Sequence, residues 1–290
     1  MSDLETIELI DLPRGRISPS GRTSFLVCAH KFERMYVNQE KQASNSRMIL
    51  GTAFHMAEEY ADRCHRETGK RPLLGEMQEV AGQSLGRAWS DEAEKTNLPI
   101  ELLDGDSPES LAAACRDMVC EYETVVGMGL DKPSLIEHTY VLTYENAKWE
   151  SKGRLDLYTT TGKIIDRKTG KKAQPGHTPY TSDQLTEYWI AMDDAGLSPS
   201  EIEIHTIARL KKGAKVTVLP TPDQKMRLGP AVRTPLQCEA YLENTARIVA
   251  AIRSGAFPKA VDPVRSCSWC GFVKTCRPDW STAMADGKEE

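Results

Sequence analysis

The chain has 290 residues, 40% hydrophobic and 27% charged, which suits one large globular domain or a domain carrying an insertion. With 37 basic against 42 acidic residues the net charge is -5, which excludes a protein coated in positive charge but allows local basic patches. No apolar run reaches the length of a membrane helix, and the opening MSDLETIELI has no basic stretch leading into a hydrophobic one. A cytoplasmic location without membrane contact is the expectation.

In chain order, residues 1–17 carry no periodic pattern and read as an arm. Ser18 or Ser20 can cap a helix that carries Phe25, Cys28, Phe32 and Tyr36 along one side. From Ile49, the residues Leu50, Ala53, Phe54, Ala57 and Ala61 recur at spacings of three and four and predict an amphipathic helix. Residues 62–132 keep a helix-favouring composition, broken around Asn97–Pro108, and read as a helical insertion. The pattern then changes to strands over Glu137–Glu145, Trp149–Thr159 and Lys163–Arg167, the last after a turn at Thr161-Gly162. Helical spacing returns over residues 181–195, with Leu185, Trp189 and Met192 as the buried stripe. Strands at Glu201–Leu210 and Lys215–Leu219 and a helix from Pro235 to Ser254 follow. This order predicts an α/β class with a mixed central sheet flanked by helices, in one domain spanning residues 1–290.

The most informative stretch is Gly153-Arg154-Leu155-Asp156, followed ten residues after its aspartate by Asp166-Arg167-Lys168-Thr169-Gly170. On a strand, Asp166 and Lys168 project from one face, and a short turn at Gly162 lets Asp156 reach the same end of the sheet. Two converging carboxylates make a hard oxygen site suited to magnesium or manganese. A lysine beside them can orient a water or offset charge building on a phosphate. Against this, Asp-x-Lys arises by chance in many proteins, and strand-end charges commonly just face solvent. The apolar Ile164-Ile165 running straight into Asp166 favours a site at a sheet edge.

Eight cysteines are many for a reducing compartment. Cys267, Cys270 and Cys276 lie within ten residues, Cys28 stands near the start, and Cys64, Cys115, Cys120 and Cys238 are scattered as structural or free thiols. Such clustering points to a metal rather than to disulfides. Four thiolates suit a structural zinc as well as an iron–sulfur cluster.

The two acidic segments resemble motifs II and III of RecB-like nucleases in the PD-(D/E)xK superfamily, approximately G-x-x-D and then D-x-K-T-G. Gly51-Thr52-Ala53-Phe54-His55 resembles that family's G-x-x-x-H helix, and Gln184-Leu185-Thr186-Glu187-Tyr188 its Q-x-x-x-Y helix, all in the expected order. The resemblance implies a restriction-endonuclease-like fold and a metal-dependent deoxyribonuclease, with exonuclease action on single-stranded or frayed DNA in repair, recombination or mobile-element processing. It implies that His55, Asp156, Asp166 and the Arg167 backbone carbonyl hold magnesium or manganese, that Lys168 is catalytic, and that Arg154, Gln184 and Tyr188 contact substrate. Glu137 is a further acidic candidate. Ser24-Phe25-Leu26-Val27-Cys28 and the late cysteines resemble the iron–sulfur subset of these nucleases, the AddB-type helicase–nucleases and CRISPR-associated adaptation nucleases. There Cys28, Cys267, Cys270 and Cys276 would bind a [4Fe–4S] cluster that staples residues 18–36 to residues 262–280.

Basic residues Lys163, Arg167, Lys168, Lys171 and Lys172 surround the expected site, and Arg209, Lys211, Lys212 and Lys215 gather at a later turn. They suggest a nucleic-acid path, with Tyr180 and Tyr188 available to stack on bases. No P-loop is present, so any helicase, recombinase or CRISPR-adaptation partner would supply the motor. Two rival readings share these residues: a catalytically silent DNA-binding or adaptor protein, and a zinc-stapled structural protein. Retention of His55, Asp156, Asp166 and Lys168 together argues for the enzyme.

Overall fold

The computed structural model describes residues 11–103, 105–144, 148–260, 266–267 and 270–277. The chain divides into two compact units, one of Met1–Gln42, Val141–Gly153 and Glu239–Glu290, the other of Ala43–Tyr140 and Arg154–Cys238. Among the described residues no helix is long and apolar enough to cross a membrane.

In the first unit a two-residue strand, β1 (Arg16–Ile17), leads into α1 (Pro19–Val27). Ser18 caps α1, its Oγ accepting from the Gly21 backbone N–H at 3.0 Å. The continuous helix expected through Tyr36 is interrupted. Cys28 is extended, at φ -162° and ψ 106°, and separates α1 from α2 (Ala29–Phe32), which continues into a π-helical turn over Glu33–Val37. The aromatic side expected of that helix survives the break. Phe25 and Phe32 pack edge to face at 5.6 Å, and Phe32 stacks on Tyr36 at 4.9 Å. They join Leu12, Ile17, Trp149, Ile248, Val249 and Ile252 in one apolar core.

The second unit opens with α3 (Ser46–Thr68), α4 (Leu74–Thr96) and α5 (Pro108–Val125), which pack on one another. Leu50, Ala53, Phe54, Ala57 and Ala61 are all buried, as the spacing predicts. Strands β2 (Pro133–Tyr144) and β3 (Trp149–Thr159) have residues in both units, and β4 (Lys163–Gly170), β5 (Glu201–Arg209) and β6 (Ala214–Leu219) lie in the second, with α6 (Thr178–Thr181) and α7 (Asp183–Asp194) between β4 and β5. Sheet order is β1-β3-β4-β5-β6, with β2 also on β3. Strand β3 pairs antiparallel with β4, β4 parallel with β5, and β5 antiparallel with β6, so the sheet is mixed as expected.

The two largest strand-boundary differences from the sequence reading are in β4 and β2. Strand β4 runs three residues beyond Arg167, because parallel pairing with β5 continues to Gly170 opposite Ala208. Strand β2 begins four residues before Glu137. A capped helix missed from the sequence, α8 (Pro222–Leu228), is started by Thr221, whose Oγ1 accepts from the Gln224 N–H. The long helix near the end is α9 (Pro235–Arg253), and a short α10 (Val273–Cys276) follows.

Candidate active site

Strand β4 explains the site. Ile164 and Ile165 are buried between β3 and β5, and the chain then presents Asp166 and Lys168 on one face and Arg167 on the other. The antiparallel register pairs Leu157 with Ile165. One step further along, Asp156 comes opposite Asp166. The Asp156 Oδ2 accepts the Arg167 backbone N–H at 2.6 Å, which fixes that carboxylate against β4.

Helix α3 supplies His55 and β2 supplies Glu137. His55 Nδ1 lies 3.4 Å from Glu137 Oε1 and 3.8 Å from Asp156 Oδ1. These three residues can each offer a ligand atom within 4.8 Å of the other two. Glu137 is held in the left-handed region at φ 45°, strained by about 1–3 kcal/mol for a non-glycine residue. Its Oε2 is buried without a hydrogen bond, although Arg154 Nε stands 3.0 Å away as an ion-pair partner. A strained, incompletely satisfied carboxylate between a histidine and an aspartate is what a hard cation would compensate. The donor set, two carboxylates and an imidazole, therefore fits a divalent ion of the magnesium or manganese kind.

Asp166 and Lys168 sit beside this group. Lys168 Nζ donates to Asp166 Oδ1 at 3.0 Å and to Gln184 Oε1 at 3.3 Å. Burial pushes the Asp166 carboxyl up to about 6, helped by the Asp156 charge and opposed by Lys168 and His55. Burial alone would lower the Lys168 ammonium, but Asp166 and Asp156 outweigh it and hold it above its ordinary range. Lys168 is therefore a cation at neutral pH and can donate hydrogen bonds. For His55 too, burial is outweighed, here by Asp156 and Glu137, and its pKa is raised.

The Q-x-x-x-Y segment lies on α7, with Gln184 half-buried and Tyr188 buried. Tyr188 is only 2% exposed, so it is not available to stack on a base or to touch substrate. Gln184 Nε2 donates to Tyr188 Oη at 2.6 Å, and Tyr188 donates to the Arg154 carbonyl at 2.8 Å. The pair forms a relay from Lys168 back to β3 and orients the lysine. Tyr180 is half-buried, with its hydroxyl on the Gly229 carbonyl at 2.9 Å.

Arg167 is also corrected. Its side chain is 1% exposed and contributes nothing to a basic surface. It enters a buried network that the sequence reading missed. Arg167 meets Asp62 on α3, and Arg71 meets Glu58 at 2.8 Å, Asp62 at 2.7 Å and Glu123 on α5. Three carboxylates share two guanidiniums there. Burial and the Glu123 charge consequently push the Glu58 carboxyl well up. The one available signal was that Glu58 and Asp62 fall within the apolar stripe of α3. Lys163 is tied to Asp131 at 3.3 Å and Arg209 to Asp106 at 2.7 Å, while Lys171, Lys172, Lys211, Lys212 and Lys215 are exposed.

In the first unit, Cys28, Cys267, Cys270 and Cys276 line one small cavity of about 20 Å³ together with Lys31, Arg34, Lys259 and Arg277. Burial, then Cys270, pushes the Cys267 thiol up. No three of the four sulfurs lie within 4.8 Å of one another, so they are not drawn into a tight knot. Cys115 is fully buried with its Sγ towards the Ala81 carbonyl, and Cys64, Cys120 and Cys238 are half-buried.

A mixed sheet whose acid-x-lysine strand ends beside a second strand's aspartate and a histidine is an arrangement that could hold a divalent metal. Residues 16–277 match the model of the PD-(D/E)XK nuclease superfamily, and the chain belongs to that superfamily, whose members are metal-dependent nucleases. Among solved structures, it is similar to the putative exonuclease from Eubacterium rectale, with a TM-score of 0.55 and 12% identity over 91% of this chain and 89% of that one. That likeness concerns the fold. SSO0001 aligns over 88% of this chain and 95% of its own at 11% identity, with a TM-score of 0.31, too low to carry an argument. No curated protein matches the sequence.

Proposed function

We propose that this chain is a magnesium- or manganese-dependent DNA nuclease, acting as an exonuclease on single-stranded or frayed ends. The observation that carries the reading is the convergence of His55, Glu137 and Asp156 beside the Asp166–Lys168 pair. His55, Glu137, Asp156 and Asp166 would hold the ion, with the Arg167 carbonyl as a further donor. When bound, a divalent ion polarises a phosphate and lowers the pKa of water. The chain's own groups do the remainder. Lys168, kept protonated and aimed by Asp166 and Gln184, donates to the reacting phosphate and offsets its growing charge. Arg154, with a side chain 65% exposed beside Glu137, would meet the substrate strand. The exonuclease part is supported by the description of the similar Eubacterium rectale protein.

The cysteine quartet supports a [4Fe–4S] cluster as the second cofactor. The four thiols line one cavity, and Lys31, Arg34, Lys259 and Arg277 in the same lining would offset the thiolate charge of such a cluster. Digestion of DNA labelled at either the 5′ or the 3′ end, with each metal, tests the function. Stepwise shortening from one labelled end is expected. Intact single- and double-stranded DNA with both metals would move the assignment to a silent DNA-binding protein.

A further inference from the structure

The two lysine-bearing turns are far apart in sequence, yet parallel pairing of β4 with β5 brings their ends together, with Thr169 opposite Ile207 and Gly170 opposite Ala208. Beyond those pairs, Lys171, Arg209 and Lys211 line one cleft of about 550 Å³, and Arg47 on α3 completes it. Its lining also includes the apolar Leu50, Met118 and Leu210. Among the described lining residues the cations are Arg47, Lys171, Arg209 and Lys211 and the carboxylate is Asp106, which accepts from Ser46 Oγ at 2.6 Å and from Arg209 at 2.7 Å.

The cleft is in line with the active site. Arg47, Gly51 and His55 are each four residues apart and share one face of α3. At 1.5 Å per residue, Arg47 lies about 12 Å along the helix from His55. Just past the end of β4, Lys171 follows Lys168 by three residues, about 10 Å if extended. Between the two ends Gly51 sits so close to Thr169 that an added Cβ would come within 2.8 Å of its Oγ1. Helix and strand thus run side by side, with the metal-site residues at one end and the basic cleft at the other.

We propose that this cleft holds a backbone phosphate of the same single strand of nucleic acid that is cut at the active site, and so fixes the strand's path away from it. This rests on the nuclease reading for its direction but not for its test. Binding of a short fluorescein-labelled oligothymidylate is measured by anisotropy in EDTA, where no cleavage occurs, across a range of salt. Lys171→Ala/Lys211→Ala is compared with wild type and with Arg87→Ala/Lys95→Ala, which removes two charges from α4. The cleft pair should weaken binding several-fold and reduce the salt slope by about 0.7, for the one phosphate no longer neutralised. The α4 pair should do neither. Unchanged affinity and slope in the cleft pair, or an equal loss in the α4 pair, would overturn the proposal. Inorganic phosphate at matched ionic strength should not displace the oligonucleotide; displacement would make this a free-anion site and also overturn it. Wild type that binds with the expected slope but never cuts with either metal would leave the cleft standing and sink the nuclease reading alone.

Discussion

Arg167 and Asp62 form a bidentate pair in the interior, Nη1 to Oδ2 at 2.6 Å and Nη2 to Oδ1 at 3.0 Å, with neither side chain more than 1% exposed. Arg167 stands between Asp166 and Lys168, and alternation along a strand turns it away from them. Anchoring it in α3 therefore fixes the rotation of β4, and with it the direction in which both site residues project.

Removing one partner should be costly, because it strands a buried charge. Arg167→Met is expected to destabilise the protein by about 3–5 kcal/mol, and adding Asp62→Leu should cost less than the sum of the two single changes. Urea unfolding of the four proteins in the cycle measures this. A cost below about 1 kcal/mol for Arg167→Met would mean the pair does not hold the strand.

The network continues from Arg167 Nε to the Tyr122 hydroxyl at 3.0 Å, from Tyr122 to His205 Nδ1 at 2.8 Å, and from His205 Nε2 to Glu203 at 3.1 Å. Burial lowers the pKa of His205, so at neutral pH the last link is a hydrogen bond from a neutral ring rather than an ion pair. Burial would raise the Glu203 carboxyl, but hydrogen bonds from His205 and Lys225 bring it down to about 2. A depressed carboxylate gives stability that is present above its unfolded value near 4.5 and lost as pH falls towards 2. Glu203→Gln should be less stable than wild type at pH 7 by about 3 kcal/mol or less, with the gap closing between about pH 4.5 and pH 2. A gap that stayed constant over that window would contradict the assignment.

Gly51 makes a sharper steric prediction. Gly51→Ala places a methyl group 2.8 Å from Thr169 Oγ1 and should cost about 1–3 kcal/mol, despite alanine's better helix propensity. Thr169→Ala in the same chain should recover most of the loss. Thermal unfolding of the single and double variants decides it, and a Gly51→Ala protein as stable as wild type would mean that the helix does not press on β4 at this point.

Much of this site was legible in the sequence. Strand β3 begins and ends where its alternation predicts, and Asp156, Asp166, Lys168 and His55 come together as the motif spacing implies. What escaped depends on long-range partners or on backbone detail. Arg167 reads as surface charge until its partner, 105 residues away, is known. Tyr188 reads as free because nothing local reveals that Arg154's carbonyl receives its hydroxyl. Glu137 was a weak candidate because a left-handed residue inside a strand has no sequence marker. The break at Cys28 follows from an extended backbone that the surrounding helix-compatible residues do not announce.

For the cysteine site, anaerobically purified protein should carry about four irons per chain and be brown, as a [4Fe–4S] cluster requires. Cys28→Ala or Cys267→Ala should lose the iron and lower the melting temperature, because each removes a ligand joining distant segments. Zinc in place of iron, or wild-type melting and iron content in either variant, would contradict the cluster.

The most direct measurement is single-turnover digestion of end-labelled single-stranded DNA with manganese, comparing wild type with Lys168→Met. That change spares every proposed metal ligand and removes only the aimed cation. The rate should fall by roughly 100- to 1,000-fold, as for loss of one preorganised transition-state donor, while DNA binding and folding hold. Equal rates for the two proteins would mean that the Asp166–Lys168 pair is not the catalytic centre.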